Sequence, residues 1–130
     1  MAKYLPLFCF FIWATHFPAC SEKRIPEDPT VWKKVHIDFR KLDANGLMGP
    51  ANGKVAVNYE FCIPAQGKYW QQIQKIDPTA VKMEGSKGRI ACTKEQWLVV
   101  GNTHRSNYMQ VLYDLAALPY IDKIDPTYWE

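Results

Sequence analysis

Apolar and polar positions alternate most regularly from Lys54 to Ile63. Val55, Val57, Tyr59, Phe61 and Ile63 fall on one side, and Ala56, Asn58, Glu60 and Cys62 on the other. A period of two marks a strand with one buried face, so the pattern predicts one continuous strand here. Pro64 and Gly67 end it, and Tyr69, Trp70, Ile73 and Ile76 then recur at helical spacing up to Asp77-Pro78, which predicts a helix stopped by proline. Val81 and Met83 suggest a short strand. After Gly85-Ser86-Lys87-Gly88, two more strands are expected at Arg89 to Thr93 and Trp97 to Asn102, joined by a turn around Lys94-Glu95. Ser106 is placed to cap a second helix whose buried face carries Tyr108, Val111, Leu112, Leu115 and Leu118. Pro119 closes that helix, and Tyr120 to Ile124 make a last strand. Upstream, Val35, Ile37 and Phe39 alternate with His36, Asp38 and Arg40, again as in a half-buried strand. Residues 43–53, with Asn45-Gly46, Gly49-Pro50 and Asn52-Gly53, read as a loop.

From Lys54 onward the order is strand, helix, strand, strand, helix, strand. Two such units packing both helices on one face of an antiparallel sheet form a two-layer α+β sandwich, the ferredoxin-like plait, here with an added amino-terminal strand. Another two-layer sandwich pairing the same elements differently is the competing architecture. The tripeptide Asp-Pro-Thr occurs at Asp28, Asp77 and Asp125. The copies stand at different offsets from the preceding helices, so they are read as recurrent turn chemistry, in which Asp accepts backbone hydrogen bonds and Pro fixes its torsion.

The amino terminus has a different character. Lys3 is followed by the apolar run Leu5-Pro6-Leu7-Phe8-Cys9-Phe10-Phe11-Ile12-Trp13, the layout of a secretory leader and too short for a spanning helix. The segment Phe17-Pro18-Ala19-Cys20 resembles the lipobox of bacterial lipoproteins. That resemblance implies cleavage before Cys20, lipid on its thiol, and anchoring of the mature chain in a membrane. Ser21, standing where an inner-membrane retention signal would have Asp, implies the outer membrane. The expected organisation is a signal peptide over residues 1–19, a lipidated cysteine and charged, proline-bearing tether over 20–30, and a single α+β domain over 31–130.

At 130 residues, 48% of them hydrophobic, the chain has material for one core. Taking the leader's lysine from the formal charge of +3 leaves the mature protein close to neutral, which argues against nucleic acid or an acidic polymer as partner. Cys9, Cys20, Cys62 and Cys92 show no zinc-ligand spacing, and no metal or cofactor is expected. Asp43-Ala44-Asn45-Gly46 has the start of a calcium loop but lacks its third oxygen ligand at Leu47 and a closing glutamate. Gly85-Ser86-Lys87-Gly88-Arg89 lacks the Gly-Lys-Ser/Thr ending of a P-loop and is read as a tight basic turn.

Candidate chemistry lies on the sheet face away from the helices. Asn58, Glu60 and Cys62 are expected there, joined by Trp97, Val99 and Gly101 if Leu98 and Val100 point inward. Such a face could bind a ligand or protein, provided nothing covers it. The same parity puts Cys92 on the helix side, opposite Cys62, which argues against a disulfide between them. Cys62 and His104 are the candidates for catalysis, with His36 as another base and Glu60 and Asp38 as orienting groups. No spacing brings them together. His104 and Arg105, entering the second helix, form a candidate anion site. The function implied is a membrane-anchored envelope lipoprotein binding an unidentified envelope protein or small ligand without catalysis. The alternatives are a small enzyme using Cys62 or His104, and an inhibitory or chaperone-like module acting on an envelope enzyme.

Overall fold

A computed structural model describes residue 25 and residues 28–127. The leader, Cys20 and most of the tether lie outside the described residues. The elements in chain order are α1 (Pro29–Trp32), a single 3-10 turn (Phe39–Lys41), β1 (Leu47–Met48), β2 (Val55–Ala56), β3 (Asn58–Pro64), α2 (Gly67–Ile76), β4 (Val81–Met83), β5 (Gln96–Asn102), α3 (Tyr108–Ala116) and β6 (Asp125–Thr127). Strands β1 and β2 form a small antiparallel pair. The main sheet has the order β4-β5-β3-β6 with every neighbour antiparallel. The fold is α+β.

The helix-side core follows from the alternation in β3. Tyr59, Phe61 and Ile63 are at most 1% exposed and pack with Val99, Ile73, Val111, Leu112 and Leu115. Tyr59 lies directly across from Gly101, and its ring fills the space a Cβ there would need, 2.6 Å from the phenol carbon and oxygen. The Tyr59 hydroxyl donates to Asp77 at 3.1 Å, and burial followed by the charge of Asp77 pushes its pKa well above the usual phenol value. Asp77 also accepts from the Thr79 amide and hydroxyl and from the Arg105 guanidinium, 2.9 Å away. A fully buried carboxylate is thereby satisfied on both oxygens.

Several sequence expectations change. The strand predicted at Val35 to Phe39 reduces to one parallel bridge between Val35 and Ile124, because Asp38 accepts from the Arg40 amide and turns the chain. The charged stretch before it already begins helix α1, with Asp28 as its cap. The expected loop at 43–53 contains β1. The strand expected to run unbroken through 54–63 divides at Val57, whose amide donates to the Thr103 side chain while β2 pairs with β1. Val55 is therefore 57% exposed and outside the core. Residues 89–93 form turns in place of a strand, with Ala91 at φ 62. The last strand begins at Asp125, after Ile121 and Ile124 have anchored an irregular segment. The cap of α3 is Asn107 and not Ser106.

Asp-Pro-Thr takes two forms. At Asp28 and Asp77 the carboxylate accepts from the amide and hydroxyl of the threonine two residues on, as expected of a turn. At Asp125 the same tripeptide is strand β6, paired with β3. Extended backbone separates Asp125 from Thr127, and Asp125 instead meets His36 at 2.6 Å and Lys123 at 3.3 Å.

Candidate functional site, a cleft on the outer face of the sheet

Residues directly opposite in an antiparallel pair share a face. Cys62 lies across from Leu98, Glu60 from Val100 and Asn58 from Asn102, so these six residues occupy the outer face. Trp97, Val99 and Gly101 therefore belong to the helix side, which corrects the expectation that Trp97 stands beside Glu60. The indole packs against the core, with the Lys82 ammonium 4.0 Å from its ring centroid. On the edge strand β4, Val81 pairs with Val100 and Met83 with Leu98, adding two exposed apolar side chains to the outer face.

The connection between β4 and β5, residues 84–95, folds over this face. Cys62 and Cys92 are joined by a disulfide, with Cα atoms 5.6 Å apart. Strand parity does not keep the two cysteines apart, because residues 89–93 are not a strand. The turn at Ala91 frees Cys92 from alternation and brings it down onto the sheet. Hydrogen bonds hold the loop on either side of the disulfide: the Cys92 amide donates to Lys87 O, the Ile90 amide to Glu60 Oε1 at 2.7 Å, and the Ala65 amide to Glu95 O. Gly88, at φ +62, lies so close that a Cβ would stand 2.7 Å from Glu60 Oε2 and 2.8 Å from a Leu98 methyl. Ser86-Lys87-Gly88-Arg89, read from the sequence with Gly85 as a tight basic turn, is thus the wall of a cleft.

That cleft has a volume of about 500 Å³. Met83, Leu98 and Val100 give it an apolar floor, Lys87 and Arg89 stand in the exposed wall, and Glu60 and Thr127 contribute oxygen atoms. Glu60 is only 4% exposed. One of its oxygens is occupied by Ile90, and among the described residues the other takes no hydrogen bond and the carboxylate has no ion pair. The Thr127 hydroxyl is also buried and without a partner among the described residues. Asn58 shares the face and pairs with Thr127.

The other candidates do not assemble into a centre. Cys62 is held in the disulfide and offers no thiol. His104 is exposed and its amide donates to the Asn102 side chain. Arg105 turns inward to Asp77, so the expected anion site at the entrance of α3 has lost its cation to the core. His36 is exposed beside Asp125, and Asp38 pairs with Arg40. Asp43, placed in the calcium-like loop, is held by Lys54 at 2.7 Å and by the Leu47 and Asn45 amides, which lower its pKa to about 2. Among the described residues no group of three or more His, Cys, Asp or Glu side chains gathers to hold a metal.

Glu60 and Asn58 were accessible to sequence reasoning through the alternation of β3. Thr127 and the wall at 86–89 were not, since the first lies in a turn-like tripeptide and the second depends on the disulfide. No protein family, curated protein or solved structure matches the chain.

Proposed function

We propose that this chain is an exported lipoprotein, anchored in the cell envelope through lipid on Cys20 and directed to the outer membrane. Its domain binds a small ligand or an envelope protein in the cleft over Glu60, without catalysis. The observation that carries the binding reading is a cleft whose wall is covalently fixed and whose buried carboxylate retains an oxygen for a ligand. Pockets of this kind, apolar with a few convergent polar groups, are where binding sites concentrate. The Cys62–Cys92 bond supports an oxidising compartment, in keeping with the leader and lipobox resemblance. We also read the main sheet with α2 and α3 as a ferredoxin-like plait. Its support is the order β4-β5-β3-β6, which places the first of the four consecutive strands between the third and the fourth.

The two halves of the proposal are tested separately. Cys20→Ser should move the protein from the membrane fraction to the soluble one, and mass spectrometry of the native protein should find an acylated amino-terminal cysteine. An unmodified thiol there contradicts the anchor. For the cleft, a fragment screen followed by amide chemical shifts should place hits at Met83, Gly88, Val100 and Thr127. Hits confined to other surfaces contradict the binding site.

A further inference from the structure

We propose that the cleft takes a short apolar peptide in zwitterionic form, its α-ammonium on Glu60 and Thr127 and its carboxylate toward Lys87 and Arg89. This assignment rests on the binding reading above and names the ligand class. It begins with Glu60. A charged group that is 4% exposed is costly unless hydrogen-bonded and paired, yet among the described residues this carboxylate has one hydrogen bond and no counter-ion. The remaining oxygen can accept, so the missing group is a donor, and a cation satisfies both deficits together.

Thr127 supplies an independent indication. In the other two Asp-Pro-Thr segments the threonine hydroxyl is bonded to its own aspartate, at 2.6 Å and 2.7 Å. In β6 the extended backbone forbids that bond, and the buried hydroxyl is left without a partner among the described residues. Thr127 pairs with Asn58, two residues from Glu60 on the same face, so the open Glu60 oxygen and the unpartnered Thr127 hydroxyl are diagonal neighbours across β3 and β6. Two acceptors side by side suit an ammonium, which carries three donors.

The rest of the cleft selects what the ammonium is attached to. Met83, Leu98 and Val100 present aliphatic and thioether surface, suited to apolar side chains. Lys87 and Arg89, exposed in the wall, would repel a simple cation but attract one that also carries a carboxylate. A volume of about 500 Å³ accommodates more than one amino-acid residue. An alkylamine answers only the buried end of the cleft, and a fatty acid only its mouth.

The probe is L-leucyl-L-leucine, titrated into the oxidised domain and followed by amide chemical shifts, beside its N-acetyl and carboxamide forms. Saturable shifts at Met83, Gly88, Val100 and Thr127 are expected. Loss of a hydrogen bond to a charged group predicts that N-acetylation or Glu60→Gln weakens binding by about 10-fold or more. The glutamine keeps an oxygen for the Ile90 amide, so the wall should remain in place. Thr127→Val and the carboxamide should each weaken binding by a smaller factor. Equal binding of the N-acetyl and free peptides overturns the proposal, and this comparison needs only the unaltered protein. If other fragments shift the cleft residues and leucyl-leucine does not, the ligand class is wrong while the binding reading stands. If nothing shifts them, both fail.

Discussion

The two faces of the main sheet are closed in different ways. On the helix side, Phe61, Ile63 and Val99 meet Leu112, Leu115 and Ile73, all fully buried, and beside them lies the Tyr59–Asp77–Arg105 network, in which the Asp77 carboxylate is satisfied and Arg105 Nε has no partner among the described residues. On the outer side, Glu60, Leu98 and Val100 are covered by turns that bring few apolar side chains of their own. That cover is fastened by a disulfide and by one hydrogen bond from Ile90. A small domain with two substantial helices can bury one sheet face by hydrophobic packing. Its second face needs another device, and a covalently fixed loop leaves room beneath it that a packed helix would fill.

Substitution in the packed face should have the largest effect. Leu112→Ala removes a fully buried side chain, and equilibrium unfolding in denaturant should show a loss of about 2 to 5 kcal/mol. A loss below about 0.5 kcal/mol would mean that helix α3 does not close the core.

The disulfide comes next. It spans a sequence separation of 30 residues, for which loop-closure entropy gives about 3 to 4 kcal/mol in the unfolded chain. The double replacement Cys62→Ala with Cys92→Ala should cost about 2 to 4 kcal/mol. Because the disulfide fastens only the outer face, protection at Ile90 and Cys92 in native-state hydrogen exchange should fall in this variant while the amides of α3 keep theirs.

Two glycines in the same loop give a smaller, paired test. Gly85 and Gly88 both have positive φ, but a Cβ at Gly85 meets nothing within 4 Å, whereas at Gly88 it strikes Glu60 and Leu98. Gly88→Ala should therefore cost about 1 to 3 kcal/mol through overpacking on top of backbone strain, and Gly85→Ala the strain alone. Equal losses in the two variants would mean that the loop does not rest on the sheet.

The helix face was far more legible in the sequence than the outer one, for a physical reason. In β3 the alternation separates core from surface, and of the stripe Tyr108, Val111, Leu112, Leu115 and Leu118 all but Leu118 are buried, that residue being half-buried beyond the end of α3. In β5 it cannot, because Leu98 and Val99 are both buried, one under the loop and one under the helices. A strand covered on both sides loses the polar half of its pattern, which is why Trp97 reads as an outer-face residue from the sequence. Strand parity does not bear on the disulfide, because the chain turns at Ala91, just before Cys92. Arg105 read as a ligand group because nothing in the local sequence shows that Asp77, in another element, claims it. Thr127 was hidden by a tripeptide that forms a turn in its other two occurrences.

The smallest expected effect lies away from both faces. Asp43 has its pKa lowered to about 2, first by the Lys54 ammonium and then by the Leu47 and Asn45 amides. A lowered carboxyl pKa contributes stability above the unfolded value of 3.8 that disappears as pH falls toward 2. An NMR titration should find the Asp43 midpoint near 2, and Lys54→Met should move it upward.

The claim on which the functional reading depends is that residues 84–95 rest on the sheet as the wall of a cleft, held there from beneath by Glu60. The exchange rate of the Ile90 amide in the oxidised protein measures this directly. We predict slow exchange that accelerates by about 10-fold or more in Glu60→Ala, with the Leu112 amide unchanged, as follows from losing a charge-assisted hydrogen bond. Fast exchange at Ile90 in the unaltered protein, or a rate indifferent to Glu60, would contradict the cleft.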